Sequence, residues 1–360
     1  MLFLTPGPVN VTERVRAALQ RPVLSPREPE FSDLMQGIRQ KLVKAFVPGA
    51  EADYTAVLMT GSGSAAVEAA LLSSLPHGKR ALIINNGLRG ERLSAIVGIH
   101  RLGVAEFKLD CGARPDPEKL RLALRQHPEV HVVAMAHHET MTGLINPVKE
   151  MAEVVDSLNR VFVLDSVAGL GGEELDVAGP HLYMVAGTAE TGLQGLPGVS
   201  FVLVRKGFME RMKTYPKRSW YLHLAHYYEN EEKGSMPFTP AVQVWQAFDE
   251  ALDELLEEGV AARILRYKKA ALLIRTRAAA LGLKPVLPAE SQANSLTAYY
   301  LPAGLTYAQL HDRLKAKGFL VAPAEGALEA KAFRVANMGD LTQADLEQFL
   351  TALESALKAG

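Results

Sequence analysis

The stretch that decides the fold runs from Leu164 to Gly198 and reads LDSVAGLGGEELDVAGPHLYMVAGTAETGLQGLPG. It begins where a short apolar run ends in Asp165, and glycines and other small residues follow. A second apolar run, residues 182–186, leads into GTAET at residues 187–191, and a third spans residues 199–204. Open α/β sheets present functional groups in this way, with a carboxylate at the carboxyl end of a buried strand. The stretch therefore predicts an α/β protein with a site at Asp165.

Outside this stretch, short apolar runs alternate with amphipathic segments. Such alternation predicts strands and helices in turn, and hence a mostly parallel mixed sheet between helices. Strands are predicted at residues 55–59, 81–84, 105–109, 130–136 and 161–164, and helices at residues 13–19, 33–46, 65–75, 116–126, 148–158, 241–258 and 263–281. We expect an N-terminal segment (residues 1–20), a large domain (residues 21–258) and a small α+β C-terminal domain (residues 259–360).

Composition excludes several classes of function. Hydrophobic residues make up 48% of the 360 residues, and 39 Lys and Arg balance 40 Asp and Glu, so the net charge is −1. That balance provides no field to attract nucleic acid or an anionic membrane. A single cysteine, Cys111, excludes an internal disulfide. With an N-terminus that lacks a basic region and a cleavage site, this predicts a cytoplasmic protein without a membrane span.

A glycine-rich turn, Gly61-Ser62-Gly63-Ser64, joins the predicted strand at residues 55–59 to the helix at residues 65–75. Such a turn presents free backbone N–H groups and the positive end of the helix dipole, which suits a phosphate. Many strand–helix turns of this composition hold no anion. The pattern by itself is therefore a weak indication of phosphate binding.

Together, these motifs resemble the cofactor core of the class V, fold-type-I pyridoxal-phosphate aminotransferases. The similarity covers essentially the whole chain. It is greatest to members that transaminate 2-aminoethylphosphonate, serine or alanine with pyruvate or glyoxylate. The resemblance implies a fold-type-I architecture and pyridoxal 5'-phosphate or pyridoxamine 5'-phosphate as cofactor. It also implies that Asp165 pairs with the pyridine nitrogen and that Ser62, Gly63 and Ser64 hold the phosphate.

The same resemblance assigns further site residues. Thr140, twenty-five residues before Asp165 (165 − 140), matches a hydroxyl that contacts the cofactor. Thr239, in Phe-Thr-Pro, matches a threonine that reaches the phosphate of the neighbouring subunit, so a homodimer is expected. Arg334 matches the arginine that binds the substrate carboxylate, and Thr5 lies in a Thr-Pro-Gly-Pro segment near the substrate. The region of residues 207–234 should hold the substrate loop, with most of its aromatic residues packed at the subunit interface.

Four positions depart from the family pattern, and one of them is Met236 in place of a bulky aromatic residue. The Schiff-base lysine falls on Thr191, twenty-six residues after Asp165 (191 − 165), and residues 150–205 contain no lysine. Glu190 replaces an amide that faces the phosphate, and a carboxylate there repels phosphate. Arg89 replaces the aromatic residue that stacks on the pyridine. A guanidinium can stack on a ring, although it repels a pyridinium, and a solvated arginine at a helix start is an equal alternative.

The segment His137-His138-Glu139 raises two further alternatives. Two histidines and a carboxylate could bind a metal, but adjacent strand residues face opposite sides, and we predict no metal site. A neutral imidazole is the usual substitute for a missing base, so His138 is a candidate base. Another alternative is an ordinary aminotransferase in which only the lysine was substituted. The simultaneous changes at Arg89 and Glu190 argue against it.

Three functional hypotheses follow. The chain binds pyridoxal phosphate or pyridoxamine phosphate non-covalently, or its pocket takes a different small amino acid, keto acid or phosphonate-like anion, or it is a non-catalytic binding protein. In the last case it could pair with a lysine-containing homologue as a heterodimer. We expect Arg334 to bind an anion unless it is paired with an acidic neighbour such as Glu139 or Glu190, and ordinary transamination to be absent or weak.

Overall fold

The computed structural model describes residues 1–179 and 181–358. The strands are β1 (Leu2–Leu4), β2 (Tyr54–Thr60), β3 (Arg80–Asn85), β4 (Gly103–Lys108), β5 (Val130–Ala136), β6 (His138–Glu139), β7 (Leu144–Ile145), β8 (Val161–Asp165), β9 (Met184–Thr188), β10 (Val199–Arg205), β11 (Leu296–Tyr300), β12 (Phe319–Pro323) and β13 (Ala332–Ala336). The helices are α1 (Glu13–Ala18), α2 (Pro29–Phe46), α3 (Gly63–Ser74), α4 (Leu88–Ile99), α5 (Pro117–Gln126), α6 (Val148–Ser157), α7 (Lys206–Met212), α8 (Leu224–Glu231), α9 (Val242–Glu258), α10 (Val260–Ala280), α11 (Tyr307–Lys315) and α12 (Gln343–Lys358).

Seven strands form the main sheet in the order β2–β10–β9–β8–β5–β3–β4. Strand β10 is antiparallel to both of its neighbours, and every other pair is parallel. Successive residues pack on opposite faces: Leu164 joins the hydrophobic cluster on one face and Val163 the cluster on the other. A sheet buried on both faces explains the continuous apolar runs of its strands. The predicted α/β fold, with a mostly parallel mixed sheet between helices, is confirmed.

A second sheet, in the order β1–β12–β13–β11, packs against α10, α11 and α12. Its first strand comes from the opposite end of the chain, since Leu2–Leu4 pairs in parallel with residues 319–321. The side chain of Asn10 holds this strand by bonding both the N–H and the carbonyl of Phe3. A three-residue strand carries too little pattern to be assigned to a partner from sequence. The domain limits at residues 20 and 258 stay predictions.

Helix α8 and all but the first residue of α7 lie in residues 207–234, where the sequence predicted a substrate loop and interface aromatics. Tyr227 and Tyr228 are buried within the chain itself, and the interface role expected for most of these aromatics stays a prediction. Trp220, in contrast, is 75% exposed. Among the described helices, none is both long and apolar enough to cross a bilayer.

The directions of the strands decide where the site lies. Strands β3, β5, β8 and β9 run parallel, and β2 shares their direction because β10 is antiparallel to both β2 and β9. The carboxyl ends of all five strands therefore meet at one edge of the sheet. The segments that follow them carry Ser62–Ser64, Arg89, Thr140, Asp165 and residues 190–191. This edge is where open α/β sheets bind ligands.

Candidate active site

A cleft of about 630 Å³ opens at this edge, between the main sheet and the segment that joins β12 to β13. Six of the residues predicted from the sequence line it: Thr5, Arg89, Thr140, Glu190, Thr191 and Arg334. The remaining predicted residues lie outside the lining: Ser62, Gly63, Ser64, His138, Asp165 and Thr239. Arg92 and Glu325, which the sequence did not single out, also line the cleft.

Thr191 is buried, and its hydroxyl is already engaged. Its Oγ1 donates a hydrogen bond of 2.7 Å to the carbonyl of Val167. The N-terminal segment closes over it, since a Cβ placed on Gly7 would lie 3.4 Å from the Thr191 methyl carbon. None of the residues that line the cleft is a lysine. The cleft therefore offers no amine at this point.

Arg89 is the second residue of α4 and turns inward. Its Nε lies 3.3 Å from the Thr140 hydroxyl, and its Nη1 lies 3.9 Å from Oδ2 of Asp165. Asp165 is 5% exposed, and its other oxygen accepts the N–H of Val167. The alternative of a solvated arginine at the helix start is wrong. The carboxylate predicted to pair with a pyridine nitrogen faces a guanidinium instead.

Glu139 holds the beginning of α4 in place. Its carboxylate accepts the N–H groups of Arg89 at 2.8 Å and of Met141 at 3.1 Å. The contact requires glycine at residue 87, where a Cβ would lie 2.7 Å from the Glu139 carboxyl carbon. Burial raises the pKa of Glu139, and the two N–H groups oppose that rise. The sequence placed Glu139 in a motif but did not predict this capping role.

Glu190 lies beside the beginning of α3. Its carboxylate accepts a hydrogen bond from the Thr188 hydroxyl. Burial raises the pKa of Glu190, whereas the Thr188 hydroxyl, the guanidinium of Arg89 and the N–H of Gly63 lower it. Ser62 and Ser64 flank that glycine and are exposed. An acidic side chain thus stands at the helix start that the sequence predicted to hold a phosphate.

All three donor groups of Arg334 are used inside the protein. Nε donates to the carbonyl of Pro323 at 2.7 Å, Nη1 to the carbonyl of Thr140 at 3.2 Å, and Nη2 to the carboxylate of Glu325 at 3.1 Å. Burial lowers the pKa of Arg334, and Glu325 opposes that effect. The acidic partner is therefore neither Glu139 nor Glu190. The ion pair joins Glu325, in the segment after β12, to Arg334 in β13, nine residues along the chain, and neither helical nor strand periodicity predicts this contact.

His138 is buried at β6, outside the cleft lining. Its Nδ1 lies 3.3 Å from the carbonyl of Ala168, and its Nε2 has no hydrogen-bond partner. Burial lowers the pKa of His138 to about 3, so the imidazole is neutral at neutral pH. Its role as a base stays a prediction. Among the described residues, no group of three His, Cys, Asp or Glu side chains could hold a metal.

Two predicted residues lie at the margins of the site. Thr5 points its hydroxyl back to the carbonyl of Pro8 at 3.1 Å. Thr239 is exposed, and two residues later the N–H of Ala241 bonds the Thr60 hydroxyl at the end of β2. A second cavity, of about 680 Å³, lies near α6 and contains none of the predicted site residues.

The fold and this cleft define a class of protein. The sequence profile of the family described as aminotransferase class-V matches residues 12–283, and the chain belongs to that family. It is 35% identical to 2-aminoethylphosphonate–pyruvate transaminase of Syntrophobacter fumaroxidans, over 99% of this chain and 96% of the relative. It is 32% identical to the enzyme of the same name from Lysinibacillus sphaericus, over 98% and 96% of the two chains.

Solved structures agree with this assignment. The alanine–glyoxylate aminotransferase of Nostoc superposes with a TM-score of 0.92 at 26% identity, covering 99% of this chain and 95% of the other. The pyridoxamine–pyruvate aminotransferase of Mesorhizobium loti gives a TM-score of 0.91 at 26% identity, covering 100% and 92%. The chain is a class V aminotransferase homologue of fold type I, and the 2-aminoethylphosphonate–pyruvate transaminases are among its relatives.

Membership in this family implies pyridoxal 5'-phosphate or pyridoxamine 5'-phosphate as the cofactor. Asp165 and the beginning of α3 are the positions that the sequence predicted to hold its pyridine nitrogen and its phosphate. However, Arg89 faces Asp165, and Glu190 faces the beginning of α3. The cleft lining contains no lysine. The residues as arranged therefore do not fit the cofactor.

Proposed function

We propose that this chain is an aminotransferase homologue of the 2-aminoethylphosphonate–pyruvate type that has lost the Schiff-base lysine. Its cleft binds a small carboxylate or phosphonate without catalysing ordinary transamination. The observation that supports this proposal is the hydroxyl of Thr191, which donates to Val167 in a cleft whose lining contains no lysine. A lysine amine can bond covalently to pyridoxal phosphate and carry a proton, and a threonine hydroxyl near neutral pH can do neither.

The anion site is proposed to lie at Arg334. Its planar guanidinium is fixed by two backbone carbonyls, which leaves the edge that faces Glu325 as the exchangeable contact. A carboxylate or phosphonate can replace the Glu325 carboxylate there as the acceptor of the Nη2 group. Pyruvate and 2-aminoethylphosphonate, the substrates in the names of the relatives, are the first ligands to test.

Calorimetric titration of these acids against wild type and Arg334→Ala tests the anion site. We expect wild type to bind at least one acid more tightly than the variant does. Equal binding would favour the second candidate, a non-catalytic protein or inactive partner subunit, in which Glu325 permanently closes Arg334. The complete internal pairing of the guanidinium is the observation that favours this second candidate.

Transamination of 2-aminoethylphosphonate or alanine with pyruvate or glyoxylate should be absent or very slow. The loss of a proton-carrying base alone costs about 10²–10⁴-fold. Steady-state assays with added pyridoxal phosphate measure this, and Thr191→Lys is the matched gain-of-function control. Turnover of wild type at about 1 s⁻¹ or faster would be in the usual enzyme range and would contradict the proposal.

If pyridoxal phosphate binds to this chain, we expect it to bind reversibly. Borohydride reduction followed by peptide mass mapping should then show no phosphopyridoxyl group on any lysine of the wild type. The Thr191→Lys variant provides the positive control, because its new amine lies in the cleft. A labelled lysine in the wild type would contradict the loss of the covalent anchor.

We propose a homodimer in which Thr239 of one subunit faces Gly61–Ser64 of the other. The exposure of Thr239, Ser62 and Ser64 supports this arrangement. Sedimentation measures the oligomeric state. In a Cys111→Ser background, Thr239→Cys with Ser62→Cys should form a disulfide between chains. A monomer that forms no such crosslink would contradict the arrangement, and dimerisation only with a lysine-containing homologue would favour the heterodimer. The cytoplasmic location stays a prediction.

A further inference from the structure

We infer that the side chains of Arg89 and Glu190 fill the two polar parts of the site where the family binds its cofactor. Arg89 takes the place of the pyridine nitrogen and Glu190 the place of the phosphate. The cleft therefore discriminates against phosphorylated pyridine ligands and takes an unphosphorylated small anion at Arg334. This inference rests on the proposed function of the same cleft.

Two neighbours, Thr188 and Gly63, place Glu190. Its carboxylate accepts a hydrogen bond from the hydroxyl of Thr188, the last residue of β9. Thr188 in turn packs on the first residue of α3, because a Cβ on Gly63 would lie 3.3 Å from the Thr188 Cβ. Burial raises the pKa of Glu190, and the nearby N–H of Gly63 is among the groups that oppose that rise. The carboxylate therefore lies near the positive end of a twelve-residue helix.

A phosphate brought to the same helix end would meet this carboxylate. Two negative charges at the same helix end in a partly buried site repel strongly, because the surroundings screen them less than water does. Glu190 is also tethered by its own backbone, so it binds the helix end without the entropic cost that a free anion bears. Both effects weaken the binding of a phosphate group.

Arg89 acts in the same way at the other end. Its guanidinium lies 3.9 Å from Asp165 and 3.3 Å from the Thr140 hydroxyl. A protonated pyridine nitrogen would have to displace that guanidinium from Asp165 and would then lie beside a like charge. The two polar contacts that would hold a pyridine ring are thus both satisfied by one side chain of the protein.

Titration with pyridoxamine 5'-phosphate and with pyridoxamine tests the inference. The two molecules differ only in the phosphate, and neither has an aldehyde that could label surface lysines. Binding is followed by equilibrium dialysis on the full-length protein. Wild type should bind the two ligands with the same weak affinity. Glu190→Gln should bind the phosphorylated ligand at least about tenfold more tightly than wild type does, with no change for pyridoxamine.

Glu68→Gln is the matched control. It removes one negative charge from α3, the helix whose beginning lies beside Glu190, at a point where Glu68 contacts His100. It should change neither affinity. Glu190→Ser serves as a second variant in case the first does not fold. The inference is overturned if wild type prefers the phosphorylated ligand by about tenfold or more, or if neither variant at Glu190 gains affinity for it.

The proposed function is tested separately by pyruvate binding to wild type and Arg334→Ala. Intact pyruvate binding with no gain at Glu190 overturns only the inference. A gain at Glu190 without pyruvate binding supports the inference about the phosphate end and overturns the proposed anion site.

Discussion

Glu325 is the side chain on which access to Arg334 depends. Its carboxylate lies 3.1 Å from Nη2 of the arginine, yet the glutamate side chain is 56% exposed, whereas that of the arginine is 7% exposed. Ion pairs with one solvated partner contribute about 0–1 kcal/mol. A ligand with a carboxylate can therefore displace Glu325 without a large cost, although the two anions compete for the same donors.

Glu325→Gln should strengthen the binding of pyruvate by up to about fivefold, because the amide no longer competes as an anion. Calorimetry measures the affinity. Glu329→Gln, an exposed glutamate in the same loop, is the control and should bind as wild type does. Weaker binding in Glu325→Gln would indicate that Glu325 orients Arg334 and does not compete with the ligand.

At the scale of elements, α3 begins against the loop that follows β8. A side chain at Gly63 would collide with Val167, because its Cβ would lie 2.5 Å from Cγ1 of that valine. The same valine carbonyl accepts the Thr191 hydroxyl. The beginning of the helix, the loop after Asp165 and Thr191 therefore pack as one unit.

Gly63→Ala should lower the free energy of unfolding by about 1–3 kcal/mol, the usual cost of overpacking a close-packed contact. Gly98→Ala is the matched control in α4, where a Cβ would meet no atom within 4 Å. That change should stabilise the protein by roughly 0.5–1 kcal/mol, because alanine loses less backbone entropy. Urea unfolding measures both. Equal effects of the two variants would contradict the packing argument.

For the molecule as a whole, four buried ionisable groups set the dependence of stability on pH. Burial raises the pKa of Glu173 to about 7 and that of Glu231 to about 8, from an ordinary 4.5. Their contribution to the free energy of unfolding is complete below pH 4.5 and is lost as the pH rises through their pKa values in the folded protein. Burial lowers the pKa of His137 to about 4 and of His138 to about 3, from 6.5. The contribution of the two histidines to the free energy of unfolding is complete above pH 6.5 and is lost as the pH falls through their pKa values in the folded protein.

These four groups therefore place the stability maximum between pH 4.5 and 6.5, with a decline towards pH 8 that the two glutamates cause. Each glutamate contributes a slope of about 1.4 kcal/mol per pH unit within its window. Glu231→Gln should remove the part of the decline that Glu231 causes, as measured by the midpoints of urea unfolding between pH 4.5 and 8. Glu118→Gln, which is exposed, should leave the profile unchanged. A flat wild-type profile between pH 6.5 and 8 would contradict the prediction.

The sequence by itself determined the fold class and six of the residues that line the cleft. Apolar runs mark the strands because β8 and its neighbours are buried on both faces, and that pattern is local. The carboxyl ends of parallel strands must meet at one edge, so Asp165, Thr140 and residues 190–191 could be placed together before any coordinates. Helix limits differed by a few residues, and the three-residue strand β1 was not assigned to a sheet.

Only the tertiary structure decided how the charges of the cleft pair with one another. Whether Arg89 faces solvent or Asp165 depends on how α4 is anchored by Glu139, and the choice of Glu325 as the partner of Arg334 depends on the register of β12 and β13. Arg89 and Asp165 lie far apart in sequence, and Glu325 and Arg334, nine residues apart, meet only through the fold of the segment that joins β12 to β13. Local periodicity and turn chemistry carry no information about them.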